Sequence, residues 1–334
     1  MNKCYVIAEA GLNHNGSINI AKELIDVAFE AGADAVKFQK RSVHKLASIE
    51  QLEKKDNRFP SFGNTYRKIR DYLEFDFEQY KILKDYSKSK NLDFIVTAFD
   101  EEAYDFLKSL GINKFKFASH SLTNLNLLNY AAKNKIESII STGMCDIDEI
   151  DTAVNIFKKN NCPLSIMHCV SSYPTPNEDC NLSFIKVLKD RYGLKTGYSG
   201  HEIGYLPTLV SVSMGAEIIE RHFTLDKKME GFDHKISLEP AELISMIKEI
   251  RKIKLILGNG NKFVSNTEMI TRNKYHVSMV AIKQINKGEL LTNDLFEYRN
   301  PGTGIPPKDE NKYIGKKTNR TIMSGSLIMP DMLG

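Results

Sequence analysis

The sequence predicts a (β/α)8 barrel followed by a small second unit. Short apolar runs alternate with longer amphipathic stretches, which indicates alternating strands and helices and therefore a parallel sheet. Eight such units within about 257 residues are typical of a closed barrel. A doubly wound open sheet is the competing architecture, but no GxGxxG motif follows the first strand. The predicted strands cover residues 5–11, 35–39, 93–99, 114–119, 138–143, 163–169, 195–200 and 218–224.

The stretches between the strands carry helical signals. Residues 18–32 and 101–111 place apolar side chains at i, i+3 and i+4, and each stretch ends in a glycine that suits a helix C-cap. The connection over residues 40–75 is unusually long, and a segment of that length in a compact domain is usually functional or mobile. We expect it to cover the mouth of the barrel. Residues 239–257 form the last predicted barrel helix.

The C-terminal part contains an internal repeat. The pattern Ile285-x-x-Gly288-x-x-Leu291-x-x-Asp294-Leu295 recurs as Ile322-x-x-Gly325-x-x-Ile328-x-x-Asp331-Met332. The same residue types at the same spacing predict a small domain with two similar halves. We therefore divide the chain into a barrel at 1–260, a linker at 261–275 and a small domain at 276–334.

Composition and charge exclude several classes of protein. The net charge of +4 gives no support for nucleic-acid binding. No apolar run approaches the roughly 20 residues that span a bilayer, so we expect no membrane association. Residues 1–11 enter a strand pattern at once, which argues against a signal peptide. Five cysteines without a CxxC pair indicate reduced thiols and a cytoplasmic location, and Cys169 is interpreted as a buried apolar side chain, with a nucleophile as the alternative.

Polar side chains follow the predicted strands at the ends where a barrel of this class carries its chemistry. The first strand is followed by the stretch EAGLNHNG, which has more hydrogen-bonding groups than a plain connection needs. We interpret it as a floor for a polar ligand. The strand ends supply Glu9, Asn13, His14, Asn15, Lys37, Gln39, Thr97, Asp100, Lys116, Ser119, Ser141, Thr142, His168, Ser171, Ser172, Tyr173, Tyr198, Ser199, His201, Glu220, His222 and Thr224.

Two of these residues are lysines that point into the barrel. Burying an unpaired ammonium group costs several kcal/mol, so Lys37 and Lys116 require an anion. Salt bridges to Glu9 or Glu220 alone would satisfy them. The hydroxyl groups at neighbouring strand ends favour a second interpretation, in which the two ammonium groups bind a phosphate dianion.

His201 and His222 end two adjacent strands. Neighbouring strands lie about 4.8 Å apart, so two inward imidazoles there can share one metal ion. Two protein ligands leave coordination positions for water or substrate, which is typical of a catalytic site. Taken residue by residue, the sequence predicts a barrel enzyme with a phosphate pocket beside a metal. An aldolase, an isomerase and a condensing enzyme all remain open.

Seven motifs in this order resemble the sialic acid synthase family: EAGLNHNG, AVKFQ, ISTGM, HCVSSYPTP, GYSGHE, ERHFTLD and DHKISLEP. The tail, with KGELLTNDL and NPGTGI, resembles the antifreeze-protein-like (SAF) domain that ends these synthases. The resemblance covers the whole chain. It implies a TIM barrel followed by a SAF domain and a transferase of sialic acid biosynthesis.

The resemblance implies the condensation of phosphoenolpyruvate with N-acetylmannosamine or a related sugar, free or 6-phosphorylated, with synthases of legionaminic, pseudaminic or deaminated acids as alternatives of the same class. It implies a divalent metal, usually manganese with magnesium or cobalt as alternatives, on His201 and His222. It assigns phosphoenolpyruvate to Lys37, Thr97, Lys116, Ser119, Ser141, Ser171 and Ser199. The sugar side is assigned to Gln39, Asn64, Tyr173, Asp233 and Arg299, and the catalytic roles to Glu9, Lys37, Lys116, Tyr173, Glu220 and His120.

The chain departs from the family pattern at three places. The acid that usually lies two residues after Ser119 is replaced by Ser121, which leaves His120, Glu9 or Glu220 to activate water. Ser171 stands where some members have asparagine. In the tail, Asn300 precedes Pro301 where the family usually has arginine, and Arg299 lies one position earlier. That arginine implies a domain-swapped homodimer in which the tail of one subunit covers the barrel of the other.

Overall fold

A computed structural model describes residues 3–334. Its first compact unit extends to Gly258 and is built on a closed barrel of eight parallel strands, as the sequence predicts. Each strand pairs with the next in sequence, and the first pairs with the eighth. The strands are β1 Tyr5–Gly11, β2 Ala35–Lys40, β3 Asp93–Ala98, β4 Lys114–Phe117, β5 Glu137–Ser141, β6 Leu164–Cys169, β7 Lys195–Gly200 and β8 Ile218–His222.

Helices connect the strands and include four within the long β2–β3 connection, which is therefore not an open loop. Within residues 3–334, no helix is long and apolar enough to cross a membrane. The helices of this unit are α1 Ile18–Glu30, α2 Val43–Leu46, α3 Ile49–Glu53, α4 Tyr66–Leu73, α5 Phe77–Ser89, α6 Glu101–Ser109, α7 Leu125–Lys133, α8 Ile147–Lys159, α9 Phe184–Tyr192, α10 Leu206–Ser213 and α11 Pro240–Leu257.

The two-residue period of the strands places a polar layer directly above an apolar one. Inside the barrel a buried cluster fills the lower interior, and each buried side chain there stabilises the fold by about 1.5–3 kcal/mol. Side chains two positions further along a strand point the same way. All six buried members of the apolar layer are thus followed by inward polar or thiol groups, in the pairs Ile7–Glu9, Ala35–Lys37, Ile95–Thr97, Ile139–Ser141, Met167–Cys169 and Ile218–Glu220.

The second compact unit covers Asn259–Gly334. It contains α12 Asn266–Tyr275 and a two-stranded antiparallel sheet of β9 Ser278–Ala281 and β10 Phe296–Arg299. The second part of the predicted linker over 261–275 is helical, because the Ser265 hydroxyl accepts a hydrogen bond from Glu268 N and caps a helix there.

The internal repeat has a structural counterpart in this unit. Ile285 and Ile322 exchange both of their backbone hydrogen bonds, at 2.9 and 2.8 Å. Gly288 and Gly325 adopt nearly the same left-handed conformation, with φ of 85° and 81°. Without a Cβ, glycine adopts this conformation at little cost. The two halves therefore turn in the same way and pair with each other.

Candidate active site

A cavity of about 330 Å³ opens at the carboxyl ends of the barrel strands. It brings together every residue of the predicted site except Asn64 and Arg299. The predicted residues that line it are Glu9, Lys37, Gln39, Thr97, Lys116, Ser119, His120, Ser141, Ser171, Tyr173, Ser199, His201, Glu220, His222 and Asp233.

Lys37 is buried at the floor and is paired with a carboxylate. Its Nζ lies 2.8 Å from Glu9 Oε2 and donates to Thr97 Oγ1 at 2.9 Å. Glu220 Oε1 is further away, at 3.6 Å. Burial lowers the pKa of Lys37, but the carboxylates of Glu220 and Glu9 outweigh this and raise it. The salt-bridge interpretation therefore accounts for Lys37 by itself.

Lys116 is less well compensated. Its Nζ donates to Ser141 Oγ at 2.7 Å, whereas its nearest carboxylate oxygen, Glu220 Oε1, is 3.7 Å away. Glu220 is shared with Lys37. Burial lowers the pKa of Lys116, and of its neighbours Lys37 lowers it further whereas Glu220 raises it. For Glu220 burial raises the pKa, but the two lysines outweigh this and hold it at about 2. The floor thus contains two ammonium groups and a carboxylate that stays ionised.

A small cradle of hydroxyl groups lies beside the lysines. Gly143 N donates to Ser119 Oγ at 2.9 Å. A Cβ on Gly143 would lie 2.3 Å from Ser171 Oγ and 2.8 Å from Ser119 Oγ, so only glycine leaves these hydroxyls in place. On the neighbouring strand β7, Ser199 Oγ donates to Glu220 Oε1 at 3.2 Å. Hydroxyls around two ammonium groups suit a small anion with several acceptor oxygens.

A chain of hydrogen bonds links the floor to the mouth. Gln39 Nε2 donates to Glu9 Oε1 at 2.7 Å, and Arg41 Nη2 donates to Gln39 Oε1 at 2.5 Å. Arg41 Nη1 also pairs with Glu74 Oε1 at 3.2 Å. The amide of Gln39 therefore has a fixed orientation, with its oxygen towards Arg41 and its nitrogen towards Glu9.

His201 and His222 face each other with ring centroids 5.5 Å apart. The Nδ1 of His201 lies 2.8 Å from the Val170 carbonyl and donates to it, which leaves Nε2 as the nitrogen with a free lone pair. His222 Nδ1 is buried without a hydrogen-bond partner. Within residues 3–334, no three His, Cys, Asp or Glu side chains are grouped to hold a metal ion by themselves. The pair fits a cation that takes its other ligands from substrate or water.

Tyr173 and Asp233 border the two histidines. The ring of Tyr173 packs against His201 with centroids 4.2 Å apart, and more than half of its surface is exposed. Asp233 Oδ2 lies 3.8 Å from His222 Nδ1. Both side chains combine hydrogen-bonding atoms with access to solvent, which suits contact with a polyhydroxylated ligand.

His120 lies at the rim, exposed to solvent, with its ring 5.5 Å from that of Phe99. Burial of part of the ring lowers its pKa, and the charges of Arg41 and Arg70 lower it further. The imidazole is therefore neutral and basic at neutral pH. Its neighbour Ser121 is buried, with Oγ 3.4 Å from His120 Nδ1, and does not line the cavity.

Asn64 does not line the cavity, and its role as a sugar contact stays a prediction. It lies on the exposed surface, where its carbonyl accepts a hydrogen bond from Asp56 N. Arg299 belongs to β10 of the second unit and pairs there with Glu297. The role of Arg299 towards a partner subunit stays a prediction.

The amide-rich turn after β1 stabilises the fold and, contrary to the expectation from its sequence, does not form the floor of the ligand cavity. Asn13 Nδ2 donates to the Phe223 carbonyl and Ser237 Oγ, and Asn15 Nδ2 donates to the Glu230 carbonyl. The ring of His14 stacks on Phe75, and burial lowers its pKa to about 3. These contacts tie the turn to the connection after β8. Only Glu9 and Leu12 of the stretch line the cavity.

Some lining residues have no counterpart in the sequence-based prediction. Arg41, Leu46, Tyr66 and Arg70 come from the long β2–β3 connection, and Phe232 comes from the connection after β8. Strand periodicity gives no orientation for residues in connections. The only available signal was the unusual length of the first connection, which predicts that it covers the mouth but not which side chains it contributes.

Comparison with known proteins gives matches to two families. A model described as the NeuB family matches residues 24–262, and a model described as the SAF domain matches residues 276–334.

Individual relatives match along nearly the whole chain. The N,N'-diacetyllegionaminic acid synthase of Legionella pneumophila is 36% identical over 98% of this chain and 93% of its own length. The human N-acetylneuraminate-9-phosphate synthase is 35% identical over 99% and 92%. Among solved structures, an N-acetylneuraminic acid synthetase from Leptospira borgpetersenii in complex with citrate has a TM-score of 0.69 and 39% identity, covering 81% of this chain and 90% of that one.

Proposed function

This chain belongs to the NeuB family and ends in a SAF domain, and on that basis we propose that it is a phosphoenolpyruvate-dependent sugar synthase. It would condense phosphoenolpyruvate with N-acetylmannosamine or a related amino sugar, free or 6-phosphorylated. The products are a nine-carbon 2-keto acid of the sialic acid class and inorganic phosphate. Relatives named as synthases of such acids share about a third of its residues.

The pair Lys37 and Lys116 is the observation that carries this proposal. Both ammonium groups lie at the floor of one cavity, and Lys116 has no carboxylate oxygen nearer than 3.7 Å. Phosphoenolpyruvate brings a phosphate and a carboxylate, either of which would give the Lys116 ammonium the close anionic partner that it lacks. The hydroxyls of Thr97, Ser141 and Ser199 supply donors for its remaining oxygens. The same pocket holds Ser119 and Ser171 against Gly143.

The proposed reaction joins two reactants that the cavity holds side by side. C3 of phosphoenolpyruvate attacks the aldehyde carbon of the open-chain sugar, and the aldehyde oxygen takes up a proton. The positive charge that develops at C2 is relieved when water adds there and gives up a proton. The bond between C2 and the phosphate oxygen then breaks and leaves a ketone. Fixing both reactants in one cavity removes most of the entropic barrier to their encounter.

The residues at the acceptor side are His201, His222, Tyr173, Asp233 and Gln39. The two histidines would hold a divalent cation, manganese with magnesium or cobalt as alternatives. When bound, such a cation supplies Lewis acidity to the aldehyde oxygen. Gln39 and Asp233 offer hydrogen bonds to the sugar hydroxyls, and the exposed ring of Tyr173 closes one side of the cavity.

His120 is the base that we assign to water activation. Glu220 is a weak base because the two lysines hold its pKa at about 2. Glu9 is already engaged with Lys37 at 2.8 Å and with Gln39 at 2.7 Å. His120 is neutral at neutral pH and lines the same cavity, one residue from Ser119. It would replace the acid that is absent at Ser121.

A phosphate-release assay tests the function. Phosphoenolpyruvate is combined with N-acetylmannosamine, its 6-phosphate, mannose and diacetamido hexoses, with manganese or with a chelator. We expect release only when phosphoenolpyruvate, metal and one acceptor sugar are all present. No release with any sugar would contradict the proposal. Borohydride reduction with pyruvate is the control for a Schiff-base aldolase, which would trap pyruvate on Lys37 or Lys116, and measurable turnover excludes a non-catalytic carbohydrate-binding protein.

We also propose that the protein works as a domain-swapped homodimer in the cytoplasm. The support is the resemblance of its tail to the domain that covers a partner's barrel in this family. Light scattering would give a mass of two chains of 37.9 kDa each. Mixing an Arg299→Ala chain with a Lys116→Met chain would then restore activity in mixed dimers, since one site in each would be intact. A monomer, or mixtures without restored activity, would contradict this arrangement.

A further inference from the structure

Arg70 is a cation at the cavity mouth that the proposed reaction does not use. It lies on α4, and its side chain is half-buried and lines the cavity. Within residues 3–334, its Nε is buried without a hydrogen-bond partner, and its guanidinium makes no ion pair within 4 Å. A buried charged donor that lacks a partner is costly and is expected to have a ligand.

The other cations of the cavity differ from Arg70 in this respect. Arg41 is paired with Glu74, Lys37 is paired with Glu9, and Lys116 donates to Ser141. Burial lowers the pKa of Arg70, and the charge of Arg41 lowers it further. The negative charge of Asp233 acts in the opposite direction, but among the described residues no carboxylate oxygen lies within 4 Å of the guanidinium, so a bound anion would supply the direct partner that it lacks.

Aromatic rings hold the guanidinium of Arg70 in place. Its Cζ lies 4.1 Å from the ring centroid of Phe232 and 5.0 Å from that of Tyr66. Stacking of this kind fixes the plane of the guanidinium and leaves its N–H edge free for an acceptor. The group is thus preorganised, and little side-chain entropy would be lost when a ligand binds.

The position of Arg70 is on the acceptor side of the cavity. Phe232, on which it stacks, directly precedes Asp233, whose carboxylate faces His222. The lysines that would bind phosphoenolpyruvate lie at the floor. A sugar whose aldehyde end is held near the histidines therefore extends its far end along the wall that carries Phe232 and Arg70.

We propose that Arg70 binds a phosphate group at the far end of the acceptor sugar and so selects a 6-phosphorylated substrate. This inference rests on the proposed synthase function and narrows its substrate class. The planar guanidinium offers two parallel N–H donors, which match phosphate better than a neutral hydroxyl.

The test compares N-acetylmannosamine with its 6-phosphate in phosphate-release kinetics at saturating phosphoenolpyruvate, using wild type, Arg70→Met and Arg70→Lys. Wild type should prefer the 6-phosphate, and Arg70→Met should lower kcat/KM for it by about 10- to 100-fold while changing the neutral sugar less than about 3-fold. Arg70→Lys should retain part of the preference, because lysine keeps the positive charge but lacks the two parallel N–H donors of the guanidinium. Arg67→Met on the same helix is the matched control, because Arg67 pairs with Glu53 and does not line the cavity.

Several outcomes would overturn the inference: preference of wild type for the neutral sugar, an equal loss for both sugars in Arg70→Met, or a raised KM for phosphoenolpyruvate instead. Calorimetric binding of the two sugars separates this inference from the proposed function. If no sugar supports turnover but the 6-phosphate still binds more tightly than the neutral sugar, and Arg70→Met abolishes the difference, the synthase function fails and the phosphate site stands. If no sugar supports turnover and the 6-phosphate binds no more tightly than the neutral sugar, both the synthase function and the phosphate site are contradicted.

Discussion

The Lys116 ammonium group donates to the Ser141 hydroxyl at 2.7 Å, with its nearest carboxylate oxygen 1 Å further away at 3.7 Å. A buried ammonium whose closest partner is a neutral hydroxyl has spare capacity for an anion. The adjacent Lys37 does not, because Glu9 already lies within 2.8 Å. We therefore expect substitutions of the two lysines to affect anion binding differently.

Lys116→Met is expected to raise the KM or Kd for phosphoenolpyruvate by at least about 10-fold, because a charge-assisted hydrogen bond to the ligand is lost. Steady-state phosphate release and calorimetric binding measure the two quantities. Lys114→Met is the matched control on the same strand, since Lys114 pairs with Asp93 and Glu137 and does not line the cavity. An unchanged affinity in Lys116→Met would remove this lysine from the phosphoenolpyruvate site.

Replacing His201 and His222 together by alanine is expected to weaken Mn²⁺ binding by at least about 10-fold and to abolish metal-dependent phosphate release. Electron paramagnetic resonance of free Mn²⁺ measures the binding directly. His44→Ala serves as the control, because His44 is exposed and pairs with Glu102 outside the cavity. Retained Mn²⁺ affinity in the double variant would place the metal elsewhere.

His120→Gln is expected to lower kcat by about 100-fold or more if His120 activates water. Because the pKa of His120 lies below its usual value of 6.5, the wild-type rate should fall on acidification only below that pH, as the imidazole takes up a proton and loses its basicity. The glutamine variant should lack this acidic limb. Ser121→Ala, which keeps the imidazole, should retain it. An unchanged limb in His120→Gln would assign the base to another group.

Glu202→Ala is expected to destabilise the barrel by about 3–5 kcal/mol, because it leaves the guanidinium of Arg221 buried without its counter-charge. Arg221 Nη1 donates to Glu202 Oε1 at 2.6 Å, and both side chains are almost fully buried. Glu217→Ala, which breaks an exposed pair with Lys189, should cost no more than about 1 kcal/mol. Thermal and urea unfolding of the two variants measure the difference. Equal losses would show that burial of the first pair is unimportant.

The sequence predicts the barrel well because the alternation of strands and helices depends on local periodicity. All eight strands lie where the apolar runs predict them, and the inward lysines follow from the two-residue period of each strand. Asn64 and the roles of Asn13, His14 and Asn15 could not be obtained in this way. Their surroundings depend on how one connection folds against another, which no local pattern encodes. The partial helix in the predicted linker was missed because its cap, Ser265, follows a glycine- and asparagine-rich stretch.

Arg70 and Phe232 were missed for the same reason. They are 162 positions apart in sequence and are brought together only by the closure of the barrel, which places the connections after β2 and β8 beside the first strand. The sequence of neither connection contains a local pattern that predicts such a long-range contact.

The amide of Gln39 lies between the guanidinium of Arg41 and the carboxylate of Glu9 and offers each of them the group it needs. It presents an acceptor to the guanidinium of Arg41 and a donor to the carboxylate of Glu9. A glutamate at this position would accept from Arg41 but would place a second carboxylate against Glu9, and the two negative charges would repel each other. The neutral side chain at position 39 therefore links a cation at the mouth to an anion at the floor without adding charge to the cavity.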